Sequence, residues 1–288
     1  MLNMKKILLP VDFPDVSLPV IHQAAILARH FNAEILMLHA VTPLSHAAGV
    51  PDHEPELARW DLLAEINKRT EKNTGQSLRA ELNGLRVQSV VATGDPAHAI
   101  VEGAQRAKAD LIMMPSHGAM FDQFLMGSVT AKVLHRTECP VWTGAHAQEP
   151  PAQEFAIRNV LCAVDFGLRT EQTVSWAKQM AVEFGAQLTL AHVTAGVESW
   201  GPGGSYVNQE WKDALVGDAT RRLAELQQAS GTKAEVFIGS GDVPKVLSQA
   251  ARQTNADLLV TGCYPYGGHL RTNGYAIICA VPIPVLNV

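Results

Sequence analysis

The chain of 288 residues has little charge and no basic excess. Charged residues make up 18% of it, and 23 Lys and Arg stand against 28 Asp and Glu, for a formal net charge of -5. We therefore expect no nucleic-acid binding, because the chain has no excess of positive charge to neutralise a phosphate backbone. Hydrophobic residues reach 47%, which supplies a core and excludes a natively unfolded chain.

Long apolar runs and paired cysteines are also missing. Pro10 and Asp12 interrupt the apolar start well below signal-peptide length, and the uncharged stretch Gly274–Val288 is too short to cross a bilayer. We expect neither export nor a membrane partner. The four cysteines form no Cys-x-x-Cys pair, which predicts reduced, buried thiols and a cytoplasmic protein.

An internal repeat organises the chain. The segment Lys6–Phe13 (KILLPVDF) recurs as Asn159–Phe166 (NVLCAVDF), and Glu34–Val41 (EILMLHAV) recurs as Gln187–Thr194 (QLTLAHVT). A Gly-Asp step at 94–95 returns at 241–242, and each half ends in a Pro-Val pair, at 140–141 and 284–285. The polar, proline-bearing stretch 147–154 is typical of a linker. We place two domains at 1–150 and 151–288, with the boundary near Pro151.

Within each half, short Val-, Ile- and Leu-rich runs alternate with longer segments of helical period, which predicts an α/β fold. In the first half we expect strands near 5–11, 34–40, 86–92, 110–114 and 140–143, and helices near 17–31, 55–73, 96–108 and 128–136. Almost wholly apolar strands suit a parallel sheet that is buried on both faces. Asp95 and Asp242 each precede a predicted helix as N-caps. The predicted fold is thus two tandem doubly wound domains, each a five-stranded parallel sheet flanked by helices.

The candidate site of the first half lies in the loops that follow its strands, because open parallel sheets bind ligands beyond the carboxyl ends of their strands. Asp12 follows the first strand, Val41 ends the second, and Pro115-Ser116-His117-Gly118 follows the fourth. Gly127-Ser128-Val129-Thr130 then opens a helix, whose amides attract phosphate. Together these loops predict a nucleotide site.

Each of these residues also has a plainer interpretation. The glycines can serve turns alone, Ser128 can be only an N-cap, and Asp12 can cap a turn. His117 can be an ordinary loop side chain. His39 and His192 lie inside apolar strands, where a hydrogen-bonded core histidine is the first expectation.

At these positions the chain resembles the universal stress proteins, over nearly its whole length and in two copies. The resemblance implies ATP or another adenine nucleotide, bound by an Asp after the first strand, a residue ending the second, and the motif Gly-x2-Gly-x9-Gly-Ser/Thr. By that resemblance Asp12 and Val41 contact the nucleoside. The residues assigned to the ribose and phosphates are Ser116, His117, Gly118, Gly127, Ser128 and Val129.

Two departures from the motif stand in the first half. Pro115 replaces its first glycine, and only the eight residues 119–126 separate Gly118 from Gly127. Proline removes one amide donor, so a shorter nucleotide or a weaker ATP site is the alternative. In the second half Asp165 is kept, but the fourth strand is followed by Gly262-Cys263-Tyr264-Pro265-Tyr266, and no phosphate motif aligns. We expect that half to be structural or to bind a different ligand.

Three functions follow as hypotheses. The first is a non-enzymatic nucleotide-binding stress protein, with Mg²⁺ as an accompanying ion of the triphosphate. The second is a slow nucleotide hydrolase using His117 or Asp12, although the sequence has no Walker lysine. The third is a nucleotide-free scaffold. The last strands, near 140–143 and 284–287, are predicted to assemble a homodimer or an intrachain pseudo-dimer.

Overall fold

A computed structural model describes residues 2–11, 18–41, 80–116, 127–144, 155–196, 198–201, 204–207, 209–262 and 273–288. These residues form two compact units. The N-terminal unit takes in those between 3 and 144, and the C-terminal unit those between 155 and 288. The predicted boundary near Pro151 lies outside the described residues.

The N-terminal unit alternates strands and helices, as the periodicity predicts. Its elements are β1 (Lys6–Pro10), α1 (Leu18–Phe31), β2 (Glu34–Val41), β3 (Arg86–Thr93), α2 (Pro96–Ala107), β4 (Leu111–Met114), α3 (Ser128–Arg136) and β5 (Val141–Thr143). The predicted helix at 55–73 lies outside the described residues. The other strands and helices predicted for this half are confirmed to within one or two residues.

The strands of the N-terminal unit lie in the order β3–β2–β1–β4–β5, and all neighbours are parallel. The chain steps one way along the sheet from β1 to β3 and the other way from β4 to β5. The strand order therefore reverses between β1 and β4, which is where such sheets form a ligand crevice. The four residues of β4, LIMM, are all buried, as an inner parallel strand requires.

The C-terminal unit repeats this arrangement. Its elements are β6 (Asn159–Ala163), α4 (Thr170–Phe184), β7 (Gln187–Thr194), β8 (Glu198–Gly201), β9 (Gly204–Val207), α5 (Gln209–Ser230), β10 (Glu235–Ser240), α6 (Val243–Gln253), β11 (Leu258–Thr261), α7 (Asn273–Ala280) and β12 (Val285–Asn287). Parallel strands follow the order β10–β7–β6–β11–β12. The antiparallel hairpin β8–β9 is the one addition among the described elements.

An aspartate fixes the start of the first strand in each unit. The Asp110 carboxylate accepts the amides of Lys5 and Lys6 at 2.7 and 2.9 Å. In the C-terminal unit Asp257 accepts the amides of Arg158 and Asn159 at 2.8 and 2.9 Å. A carboxylate that accepts two amides makes charge-assisted bonds, so each one ties β1 or β6 to the strand entering beside it.

The α/β class and the parallel sheets flanked by helices are confirmed. Buried positions recur on one side of each helix, as in α2, where Ala97, Ile100, Val101 and Ala104 face the core. In the part of the chain that the structure describes, no helix combines the length and the apolar character needed to cross a membrane.

Candidate functional site

The exit from β1 is fixed by two hydrogen bonds to β2. The amide of Val11 donates to the Leu38 carbonyl at 2.9 Å, and His39 Nδ1 lies 2.9 Å from the Val11 carbonyl oxygen. Because a carbonyl can only accept, Nδ1 of His39 carries the proton. The expectation of a hydrogen-bonded strand histidine is confirmed. Asp12, the next residue after Val11, lies outside the described residues.

Val41 ends β2 at the same edge of the sheet. Its carbonyl oxygen accepts the amide of Gly94 at 3.0 Å, and Gly94 has a φ of +126°, which glycine adopts without strain. This bond closes the carboxyl ends of β2 and β3 against each other. The half-buried side chain of Val41 thus has a fixed place beside the exit of β1.

Ser116 and Gly127 are brought into contact although ten residues separate them. The Gly127 amide donates to the Ser116 carbonyl at 3.0 Å, and Ser116 is buried. One turn into α3, the Thr130 hydroxyl donates to the Pro115 carbonyl at 2.9 Å. These two bonds hold the start of α3 against the end of β4. His117 and Gly118 lie outside the described residues.

Gly127, not Ser128, is the N-cap of α3. Gly127 has extended backbone angles, and its carbonyl accepts the amide of Ala131 at 3.0 Å. The interpretation of Ser128 as an N-cap is therefore wrong, and Ser128 is the first helical residue, with an exposed side chain. Since the Gly127 amide is already used, the amides that the helix leaves without an internal acceptor are those of Ser128, Val129 and Thr130.

Charged side chains gather beside α3. Asp95 Oδ1 lies 3.7 Å from Lys132 Nζ, and Asp95 Oδ2 lies 3.6 Å from Arg136 Nη1. Asp95 is the N-cap residue of α2, as predicted, but its side chain makes no cap hydrogen bond. The prediction for Asp242 is confirmed, since its Oδ1 accepts the amide of Lys245 at 3.1 Å. Sequence reasoning passed over Lys132 and Arg136, whose spacing of four places both on one face of a helix.

The exit of β6 in the C-terminal unit includes Asp165 and Phe166, whose counterparts Asp12 and Phe13 lie outside the described residues. Asp165 Oδ1 accepts the amide of Gly167 at 2.8 Å and the Thr170 hydroxyl at 3.3 Å, so this carboxylate caps its own turn. Phe166 adopts a φ of +55°, and its ring centroid lies 4.5 Å from that of His192. The guanidinium carbon of Arg222 lies 4.0 Å from the Phe166 centroid on the ring face. The residues predicted beyond Gly262 lie outside the described part, up to Thr272.

The described cysteines carry no disulfide. Cys162 is buried, and burial raises the pKa of its thiol to about 12. Burial, with the nearby charge of Asp110, also raises the pKa of Cys139 to about 12, and its Sγ donates to the Ala109 carbonyl at 3.2 Å. Both thiols are protonated at neutral pH, so neither supplies a thiolate nucleophile.

No group of three or more His, Cys, Asp or Glu side chains in the described ranges is placed to hold a metal ion. The described part of the site therefore offers backbone amides, a buried serine, an apolar strand end and two cations. Such a set suits an anionic organic ligand.

Known proteins match both units. The family model of the universal stress protein family matches residues 3–143 and again residues 156–272. A universal stress protein of Methanocaldococcus jannaschii is 34% identical over 140 residues, which cover 48% of this chain and 79% of that protein. One from Bacillus subtilis is 31% identical over 144 residues, covering 47% of this chain and 95% of the relative.

Among solved structures, a universal stress protein from Archaeoglobus fulgidus superimposes with a TM-score of 0.69 at 20% identity, covering 98% of this chain and 95% of that one. At that identity the likeness bears on the fold alone. The family model accounts for most of both halves, and the curated relatives each match about half of the chain. The chain therefore belongs to the universal stress protein family and carries its domain twice.

Proposed function

We propose that the N-terminal unit binds an adenine nucleotide and that the protein acts in the stress response as a non-enzymatic sensor or regulator. ATP, ADP and AMP are the candidate ligands, with Mg²⁺ accompanying the triphosphate. The reduced thiols favour a cytoplasmic location. The proposed domain boundary is that between residues 150 and 151.

One observation carries the proposal: the Gly127 amide bonded to the Ser116 carbonyl. This bond fixes the start of α3 at the end of β4, and β1 separates β4 from β2, which ends at Val41. Ser116 and Gly127 at the end of β4 and Val41 at the end of β2 thus lie on the two sides of the reversal in strand order, which supports the proposed site. A ligand that spans this crevice, with an anionic group at α3 and an apolar ring near Val41, fits a nucleotide.

The described residues at the start of α3 and the end of β4 support different roles in binding. The amides of Ser128 and Val129 point to phosphate binding, whereas Gly127 contributes space without its amide, which already donates to Ser116. Ser116, buried at 2% exposure, is proposed for the ribose or phosphates. Asp12, His117 and Gly118 keep the roles that family membership implies for them.

The test is calorimetric titration with AMP, ADP and ATP, using Ser128→Glu and Ser128→Gln. A glutamate in the first turn suits the helix dipole and preserves the fold, but its charge repels a phosphate at the same amides. We expect the Glu variant to bind about tenfold or more weakly than the Gln variant, which has the same size without the charge. Equal affinities in the two variants, or no binding of any of the three nucleotides, would contradict the proposal.

A scaffold role is the second candidate, and the C-terminal unit favours it. There Asp165 caps its own turn and Phe166 packs on His192, so both side chains are used internally. The homodimer or intrachain pseudo-dimer through β5 and β12 stays a prediction, to be checked by light scattering. A slow ATP hydrolase stays a prediction, since His117 and Asp12 both lie outside the described residues.

A further inference from the structure

The cluster formed by Asp95, Lys132 and Arg136 lies along the helix whose first residues are proposed to meet the phosphates. Both cations are on α3, and the carboxylate reaches them from the start of α2. Lys132 is four residues beyond Ser128, so its Cα lies about 6 Å farther along the helix axis. The side chains are about half exposed, with 45% for Asp95, so solvent screens but does not abolish their effect.

The C-terminal unit has no such cluster among its described residues. Counted back from the two Pro-Val pairs, Lys132 and Arg136 correspond to Ala276 and Ala280. The helix ends confirm this register, since Thr137 bonds to the Val133 carbonyl and Val281 to the Ile277 carbonyl, each at 3.0 Å. Asp242, at the position of Asp95, caps α6 instead. The same acidic residue therefore has a capping role in one unit and a cation-pairing role in the other.

We infer that Asp95 is a specificity-determining residue that sets how many phosphates the site prefers. The inference rests on the proposed function and extends it. Two cations near α3 would favour highly charged ligands, and Asp95 cancels one of their two charges. The energy between Asp95 and a ligand grows with the ligand's charge, so Asp95 disfavours ATP more than AMP and leaves adenosine unaffected. Asp95 thus shifts the preference of the N-terminal unit towards adenine nucleotides with fewer phosphates.

The size of the effect follows from Coulomb's law with screening. For a separation of about 10 Å in water at low ionic strength, removal of the Asp95 charge should raise the affinity for ATP about fivefold and for AMP about twofold. At physiological ionic strength the same change falls to about twofold for ATP. Adenosine, which carries no charge, should bind with unchanged affinity.

The experiment compares Asp95→Asn with the matched control Asp242→Asn in the C-terminal unit. Adenosine, AMP and ATP are titrated without divalent ions at low and physiological salt, and melting curves monitor the fold. We expect the graded increase in Asp95→Asn only. A double variant, Lys132→Met with Arg136→Met, should show the opposite gradient, with ATP weakened most.

A purely structural role for Asp95 predicts a different pattern. If Asp95 only holds α3 in place, adenosine, AMP and ATP would all weaken by the same factor, and that result would overturn the inference. Unchanged ratios among the three ligands in both variants would also overturn it, while leaving the nucleotide site in place. Failure of every ligand to bind the unaltered protein would instead remove the proposed function itself, and this inference with it.

Discussion

The two units share the contacts at the exit of their first strands and differ in the charge carried by the helix before their last strand. Val11 and Val164 each bond to the next strand through the amide, at 2.9 and 2.8 Å, and each carbonyl lies against a histidine Nδ1, at 2.9 and 2.7 Å. Beyond this framework the units diverge at the helix before their last strand, where the N-terminal unit has Lys132 and Arg136 and the C-terminal unit has Ala276 and Ala280. In the C-terminal unit Phe166 packs against His192 and Arg222, and the matching Phe13 lies outside the described residues.

This difference indicates which parts of a duplicated domain can change in sequence and contacts. The hydrogen bonds of the Val11 and Val164 amides join the backbones of neighbouring strands, and the loss of such a bond leaves buried polar groups unpaired. Side chains in the loops and on helix surfaces carry no such penalty, so they can be replaced or given new contacts. The framework is therefore common to both units, and any specialisation lies in the loops and on the helix faces around it.

The largest expected effect comes from Trp142, which is specific to the N-terminal unit. Trp142 is fully buried on β5, and its Nε1 donates to Gln23 Oε1 of α1 at 2.8 Å. Trp142→Leu should lower the free energy of unfolding of this unit by about 3 kcal/mol, because it opens a cavity and strands a buried amide. Hydrogen exchange read out by peptide should show the loss in α1 and β5.

A second change separates the two causes. Adding Gln23→Leu to Trp142→Leu removes the stranded amide and should restore about 1 kcal/mol. Peptides of the C-terminal unit, where Leu286 stands at the matched position, serve as the internal reference. If exchange in those peptides rose as much as in α1, the effect would not be local and the comparison of separate units would break.

The next effect tests what the units share. Asp110→Asn and Asp257→Asn each replace a carboxylate that accepts two backbone amides by an amide that binds them more weakly. Each should destabilise its own unit by about 2 kcal/mol, measured by urea unfolding with exchange as the local readout. Equal losses would support a common framework, and a loss in one unit alone would argue against it.

The smallest effect contrasts Asp242 with Asp95. Asp242→Ala removes an N-cap hydrogen bond and should cost about 1 kcal/mol at any salt concentration. Asp95→Ala removes two exposed ion pairs and should cost about 0.5 kcal/mol at low salt and less at high salt. Thermal melts at two ionic strengths check both values. A salt-independent loss at Asp95 would mean that its side chain caps α2 in solution.

Much of the fold could be predicted from the sequence because its signals are local. Apolar runs such as LIMM at 111–114 and the helical period of 96–107 show their burial pattern in the letters themselves. The repeat doubles each signal, since two independent segments predict the same element. The strand order is not visible in the letters, because it depends on contacts between segments that are distant in sequence.

The site was less predictable, and Asp95 and Asp242 show why. Both follow a glycine and precede a helix with a proline at its first or second residue, so a local rule assigns both side chains to capping. What separates them is the presence of Lys132 and Arg136 about 40 residues away, against Ala276 and Ala280 in the second half. The motif likewise assigns Ser116 and Gly127 to one site, but the hydrogen bond between the Gly127 amide and the Ser116 carbonyl is visible only in the structure.

The two raised thiol pKa values make Cys139 and Cys162 reporters of local unfolding, one in each unit. Cys139 belongs to the N-terminal unit and Cys162 to the C-terminal one, and both stay protonated at about pH 8 while folded. An exposed thiol has a pKa near 9.0, so transient local unfolding of a unit lets an alkylating reagent react with its cysteine. Mass spectrometry can resolve the two cysteine-containing peptides. The ratio of their labelling rates then reports which unit unfolds locally more often.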